Sequence, residues 1–253
     1  MAWIRRDLEM IPKDQLVVLM MHIPLVEVED RQELYRLIEM RPYAVSVSAH
    51  THYQEHKFIT KQDGWRGPKP HHHVFNVTVC GSWWQGSPDE LGIPHATMRD
   101  GAPNGYSIFT FDGHEYSIEF RAARRPSDYQ MNIYVGESVS SNGSEVVGVN
   151  FFAGNERTKV EMRVGNGEWL PMDKVAKPDP EYSAAYTRDL AMKAPYRPLP
   201  MPIKSPHYWE AQLPADLPKG SHRLSVRATD MFGHVHTASR LLRVEQNLVE
   251  KLP

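Results

Sequence analysis

Cysteine is almost missing from this sequence: Cys80 is the single one in 253 residues. A disulfide framework and a cysteine zinc site are therefore both excluded. No apolar run is long enough to span a membrane. The first residues, Met1-Ala2-Trp3-Ile4-Arg5-Arg6-Asp7, lack the apolar core of a signal peptide, and the chain reads as opening inside a domain. There is no internal repeat and no low-complexity tract. No basic stripe appears, the formal net charge is -2 and the pI is near 6.7, so nucleic acid is not expected as the main partner. The length suits one large domain or two modest ones, either able to bury a real core.

What the chain does have is histidine at the ends of strands. Val45-Ser46-Val47-Ser48 alternates with period two and leads into Ala49-His50-Thr51-His52. Side chains at i and i+2 share a face of a strand, so His50 and His52 would point to the same side. Two imidazoles on one rim suit a metal site, although a bare His-x-His is a weak signal. An earlier apolar run, Gln15 to Met21, ends in His22-Ile23-Pro24, and reads as a strand buried on both faces. Between the two, Asp30 to Met40 reads as a helix, with Leu34, Leu37 and Ile38 at helical spacing and Arg41-Pro42 as its stop. The unit is strand, helix, strand, normally parallel. Ligand sites in such sheets lie beyond the carboxyl ends of the strands, where His22, His50 and His52 all fall.

After His52 the texture becomes β. Glu55 to Thr60 reads as a strand, and residues 63 to 70 as a loop. His71-His72-His73 precedes a strand from Val74 to Val79 and reads either as a solvated loop edge or as a contributor to a site. Ser107 to Phe111 and Glu115 to Phe120 flank Asp112-Gly113 as a hairpin. Lys159 to Val164 and Glu168 to Met172 flank Asn166-Gly167 in the same way. A short helix is expected within 181 to 192, inside a long connection rich in proline, tyrosine and methionine. His222 to Ala228 and Ala238 to Val244 read as two last strands. The fold class is α+β and mainly β. Residues 1–75 form a partial α/β core, 76–253 a β-rich domain, and 146–246 an immunoglobulin-like sandwich.

Met21-His22-Ile23-Pro24 followed by Ala49-His50-Thr51-His52 resembles the last two metal-binding motifs of calcineurin-like metallophosphoesterases. There a histidine closes one strand and Gly-His-x-His closes the next; Ala49 stands in place of that glycine. Cys80-Gly81-Ser82-Trp83-Trp84 and Asp100-Gly101-Ala102-Pro103-Asn104-Gly105-Tyr106 look like the C-terminal domain of one bacterial group of these enzymes. The resemblance implies a partial metallophosphoesterase core, a phosphate mono- or diester substrate, and two divalent metal ions of manganese, iron or zinc type. It assigns His22 and His50 to one metal and His52 to the other. It permits a periplasmic or secreted location without fixing the compartment. The family carries Asp-x-His, Gly-Asp and Gly-Asn-His motifs ahead of these two, and none stands in the 21 residues before His22; they supply most of the ligands, including the carboxylate that bridges the two metals. No catalytic residue is therefore assigned. The expectation is the C-terminal part of a metal-dependent phosphoesterase, with negligible hydrolysis by itself, self-associating through residues 1 to 50 or needing a partner with the upstream motifs.

Plainer readings stand beside these. His22 or His50 alone is more often a satisfied polar residue than a ligand. Trp83 and Trp84 offer flat surfaces for a sugar or aromatic group, but such a pair is more often packing. Asp100, Asn104 and Tyr106 would line a substrate, yet Asx residues beside Gly and Pro are usually turn formers. His114, His222, His234 and His236 read as structural or exposed. The alternative function is a noncatalytic β-sandwich module that binds a protein or carbohydrate.

Overall fold

The computed structural model describes residues 1–89, 91–192 and 197–245. The first part of the chain runs α1 (Ala2–Met10), β1 (Val17–Met20), α2 (Arg31–Ile38), β2 (Ala44–Ser48), β3 (Glu55–Ile59) and β4 (His71–Phe75). These strands form one sheet in the order β1-β2-β4-β3. β1, β2 and β4 are parallel, and β3 runs antiparallel to β4. The expected strand-helix-strand is present, with α2 burying Leu34, Tyr35 and Ile38. Those residues join Leu8 of α1, Leu25, Ile59 and Trp65 in a core on one side of the sheet. Leu25, Tyr35 and Ile38 are fully buried, and each contributes about 1.5–3 kcal/mol from the water it sheds. The Arg41 guanidinium ties α1 down by donating to the carbonyls of Leu8, Ile11 (2.9 Å) and Pro12 (3.2 Å).

The apolar pattern of β1 calls for cover on both faces, and the strand stands at the sheet edge with Val18 37% and Met20 83% exposed. The histidine triplet is not a solvated loop edge. His71, His72 and His73 are the first three residues of β4, all buried, and the strand ends at Phe75 rather than Val79. Burial is tolerated because β4 lies between two strands that supply polar partners. Ser46 and Ser48 of β2 face the imidazoles of His71 and His73, and His56 of β3 meets His72. The alternating serines therefore face a second interior instead of water.

β5 (Gly105–Asp112) and β6 (Glu115–Ala122) form the expected hairpin; Asp112 pairs with Glu115, so the two-residue turn is Gly113-His114. Ile118 and Phe109 of this hairpin join Val45 and Val74 in a core on the sheet. A further cluster of Val77, Met98, Phe120 and Phe152 fastens the connecting loop to the hairpin.

The remaining strands are β7 (Met131–Tyr134), β8 (Ser138–Ser140), β9 (Val146–Phe151), β10 (Lys159–Val164), β11 (Leu170–Pro171), β12 (Asp173–Lys174), β13 (Lys177–Pro178), β14 (Lys204–Ser205), β15 (Tyr208–Gln212), β16 (Gly220–Thr229) and β17 (Val235–Glu245). They build a five-stranded sheet, β11-β10-β16-β17-β8, and a four-stranded one, β12-β15-β9-β7, with β13 and β14 paired apart. Val147, Val149, Phe151 and Trp209 from one sheet share a core with Val160, Met162, Leu224, Val226 and Leu242 from the other. β7 and β8 bring into these sheets residues upstream of 146. The expected sandwich end at 246, and the domain end at 253, lie outside the described residues. α3 (Pro180–Leu190) starts where Pro180 follows Asp179, whose carboxylate accepts the Tyr182 N–H at 2.9 Å. Among the described residues the chain is mainly β with three α-helices.

Candidate functional site

His22 and His50 meet one step beyond the parallel ladder of β1 and β2. The ladder continues past the strands: Met21 N–H donates to Val47 O at 3.0 Å, and Ala49 N–H to His22 O at 3.2 Å. This fixes the backbone at both strand ends. His50 then turns into the left-handed region with φ 65°, which brings its Nδ1 to 2.9 Å from His22 Nε2. The rings cross at 75° with centroids 4.8 Å apart, and both residues are exposed.

His52 lies two residues on, also at positive φ (54°), but buried. Its Nδ1 is 2.6 Å from the Gly81 carbonyl, which can only accept, so Nδ1 carries the proton. Its other nitrogen, Nε2, therefore holds the free lone pair. The ring stacks on Trp83 at 3.9 Å, and Cys80 Sγ is 3.7 Å from Nδ1. Trp83 and Trp84 are exposed and adopt positive φ as well, 71° and 49°. Six non-glycine residues among those described have positive φ, and four of them are His50, His52, Trp83 and Trp84. Such backbone costs about 1–2 kcal/mol per residue. Its concentration on this rim marks a place where side-chain position is held at the expense of stability.

The geometry bears on the metal that the histidine pattern implies. With nitrogen–metal bonds of about 2.0–2.1 Å, two donors 2.9 Å apart would sit on one ion at an angle of roughly 90°. The His22–His50 pair fits two adjacent ligands. A carbonyl holding the far nitrogen of His52 is likewise what a ligating imidazole needs. The three rings do not share one point, however. Among the described residues no group of three His, Cys, Asp or Glu side chains converges as a metal site.

The other expected residues part company. Asp100 is fully buried. Its carboxylate accepts from Gln54 N–H (2.7 Å) and Ala102 N–H (3.0 Å) and faces His207 Nε2 at 2.9 Å. It anchors the segment after His52 and has no surface left for a substrate. Asn104 is buried and donates to Val79 O at 2.6 Å. Tyr106 is 52% exposed on β5. Of the aromatic loop and the following turn, Trp83 touches the histidine rim and Asp100 supports it from behind.

Two features escaped the sequence. One is the buried imidazole cluster. Leu25 N–H donates to His73 Nε2 (3.2 Å), so His73 is protonated at Nδ1 and donates to Ser46 Oγ (2.7 Å), which in turn donates to His71 Nε2 (2.8 Å). Beside it His56 Nδ1 lies 3.0 Å from His72 Nε2, and His72 Nδ1 2.7 Å from Tyr116 Oη. Burial lowers the imidazole pKa to about 4 at His56 and His71 and about 3 at His73, and drives His72 well below its usual value. The opposition of Ser46 and Ser48 to a histidine run was the available signal. The other is a chain of buried contacts from Asp100 through His207 to Asn150 (2.6 Å), Asp179 (2.8 Å) and Tyr134 Oη (2.7 Å), which no local pattern announces.

A family model described as "C terminal of Calcineurin-like phosphoesterase" matches residues 73–236. His22, His50 and His52 lie before that span. No curated protein matches the chain. Among solved structures, a superoxide reductase (neelaredoxin) from Ignicoccus hospitalis is 11% identical over 46% of this chain and 81% of its own, with a TM-score of 0.28. CopC from Methylosinus trichosporium OB3b is 14% identical over 48% of this chain and 100% of its own, with a TM-score of 0.24. Likeness at this level carries no argument about a site or an activity.

Proposed function

Because the chain belongs to the family of C-terminal regions of calcineurin-like phosphoesterases, we propose that it is the C-terminal part of a metal-dependent phosphoesterase acting on phosphate mono- or diesters. In this reading the β1–α2–β2 unit is part of the α/β catalytic core, and the paired sheets after it are an immunoglobulin-like accessory domain. The observation that supports it is the 2.9 Å approach of His22 Nε2 and His50 Nδ1 at the carboxyl ends of adjacent parallel strands. A divalent ion held there would polarise the phosphoryl group and activate water. The chain's own part is to hold the imidazoles. The ladder fixes His22, the turned backbone at His50 aims its Nδ1, and the Gly81 carbonyl sets the tautomer of His52. Trp83, stacked on His52 and largely exposed, would give the organic part of the ester a flat apolar wall. Carboxylate ligands are still required to bridge two ions.

The test is a manganese titration followed by calorimetry, with hydrolysis of bis(p-nitrophenyl) phosphate assayed in parallel. The reading expects one weak metal equivalent, lost in His22→Ala and in His50→Ala, and negligible turnover by the chain alone. Metal binding that is unchanged in both variants would reject it. A second reading, a noncatalytic binding module, is favoured by the lack of a convergent three-ligand group among the described residues. Absence of any metal binding together with retained partner or glycan binding would support that reading instead.

A further inference from the structure

A polar cavity of about 330 Å³ opens between the loop leading to Asn104, the segment after β6, and the start of α3. Its walls bring together residues far apart in sequence. Arg124 donates to Asp89 Oδ2 at 3.1 Å. Arg188, on α3, donates to Ser87 Oγ at 3.2 Å and lies 3.9 Å from the Asp189 carboxylate. Asn132 donates to Glu181 Oε2 at 3.4 Å and accepts from Tyr129 Oη at 2.6 Å.

The charge balance of this wall narrows what it can hold. Arginines and acidic residues line it in equal number: Arg124, Arg125 and Arg188 against Asp89, Asp179 and Glu181. A simple anion would meet the carboxylates and a simple cation the guanidiniums, so neither gains much. A hydroxyl both donates and accepts, and adjacent hydroxyls can bridge an arginine N–H and a neighbouring carboxylate oxygen at once. Partial desolvation and the nearby Asp179 raise the Glu181 carboxyl above its usual range.

The cavity is preformed. Gly101, with φ +88°, presses so close to the α3 cap that an added Cβ would stand 2.2 Å from Asp179 Cγ. Asp179 is in turn fixed by Asn150 and Tyr134. A rigid wall binds without first being ordered. The volume lies at the lower end of the roughly 300–1,000 Å³ of small-molecule sites.

We propose that this cavity binds a small neutral polyhydroxylated ligand, a monosaccharide or one unit of a glycan, through the paired groups Asp89–Arg124, Glu181–Asn132 and Arg188. The proposal does not depend on metal binding at the histidine rim.

The test is titration of the full chain with methyl glycosides of gluco, galacto and manno configuration, followed by calorimetry or NMR, with inorganic phosphate and acetate as ionic controls. The expected result is saturable binding of at least one glycoside. Loss of a hydrogen bond to a charged group should weaken it about tenfold or more in Glu181→Gln and in Arg188→Ala, with the melting midpoint within about 2 °C of the parent in at least one of them, as for exposed side chains. No binding of any glycoside up to its solubility would overturn the proposal. So would unchanged affinity in both variants, or phosphate or acetate binding in competition with the glycoside.

Discussion

Acidification should unfold this protein earlier than its carboxylates alone require. The perturbation is a change from pH 7 to pH 5. His56 and His71 have folded-state pKa values of about 4 and His73 about 3, against 6.5 for an ordinary imidazole. The unfolded chain therefore binds protons that the folded one refuses, and stability rises with pH. The contribution is fully present above pH 6.5 and is lost as pH falls from there toward pH 4 and 3. At about 1.4 kcal/mol per pH unit, each of the three imidazoles would lose roughly 2 kcal/mol by pH 5. They touch one another through serine hydroxyls and His72, so the losses do not simply add. A total of at least about 2 kcal/mol is expected, or a fall of roughly 4–8 °C in melting midpoint for a chain of this size. The hydrogen bonds say why: a proton on His73 Nε2 would leave the Leu25 N–H without its acceptor and force the Ser48 hydroxyl to turn from donor to acceptor. His71→Gln keeps an acceptor near the Nε2 position and removes one titrating group, so its midpoint should depend less steeply on pH. Thermal melts by circular dichroism at half-unit steps measure both. A midpoint that stays flat between pH 7 and pH 5 would refute the reasoning.

Three further outcomes are expected. Asp100→Ala leaves two buried backbone N–H groups and His207 without their acceptor, which should cost about 3–5 kcal/mol in a urea melt; a loss under about 1 kcal/mol would deny the carboxylate its anchoring role. Gly101→Ala must displace Asp179 and should cost more than about 2 kcal/mol, whereas Gly113→Ala, which meets nothing within 4 Å, should cost only the ~1 kcal/mol of a left-handed alanine; equal losses would contradict the close approach. The edge strand β1, with Met20 83% and Val18 37% exposed and Trp3 and Met10 bare nearby in sequence, should drive self-association through residues 1 to 50. Light scattering would show it, and Met20→Lys should reduce it; a concentration-independent monomer removes that surface from consideration.

Local pattern carried much of the fold. Asp112-Gly113 marked the hairpin, although the turn itself is Gly113-His114, with Gly113 supplying the positive φ. Leu34 and Ile38 placed α2 by their spacing, whereas α3 was expected only within 181 to 192 and its Asp179 cap comes from the structure. His71 to His73 are ambiguous from composition alone, since three histidines suit a solvated edge as well as a site. Their true surroundings depend on Ser46, Ser48 and His56, which only the pairing of β4 with β2 and β3 brings alongside. At the site, His22 and His50 were legible as strand-end histidines, since parallel pairing places such ends together. The separation of His52 from them was not, because it depends on positive φ at His50 and His52 and on the Gly81 carbonyl. Asp100 looked like a turn residue open to substrate; its burial follows from His207 and Asn150 on distant strands. The cavity has no local signature, because its wall is assembled from Asp89, Arg124 and Glu181 only when the chain has folded.

The central claim is that His22 and His50 hold one metal ion between them. A double-mutant cycle on zinc affinity, measured by competition with a chelating dye, tests it most directly. If both rings bind one ion, His22→Ala and His50→Ala should each weaken affinity at least about tenfold, and the double variant should lose far less than the product of the two, as for groups acting as a unit. Affinities of both single variants within twofold of the parent, or losses that multiply independently, would contradict the account.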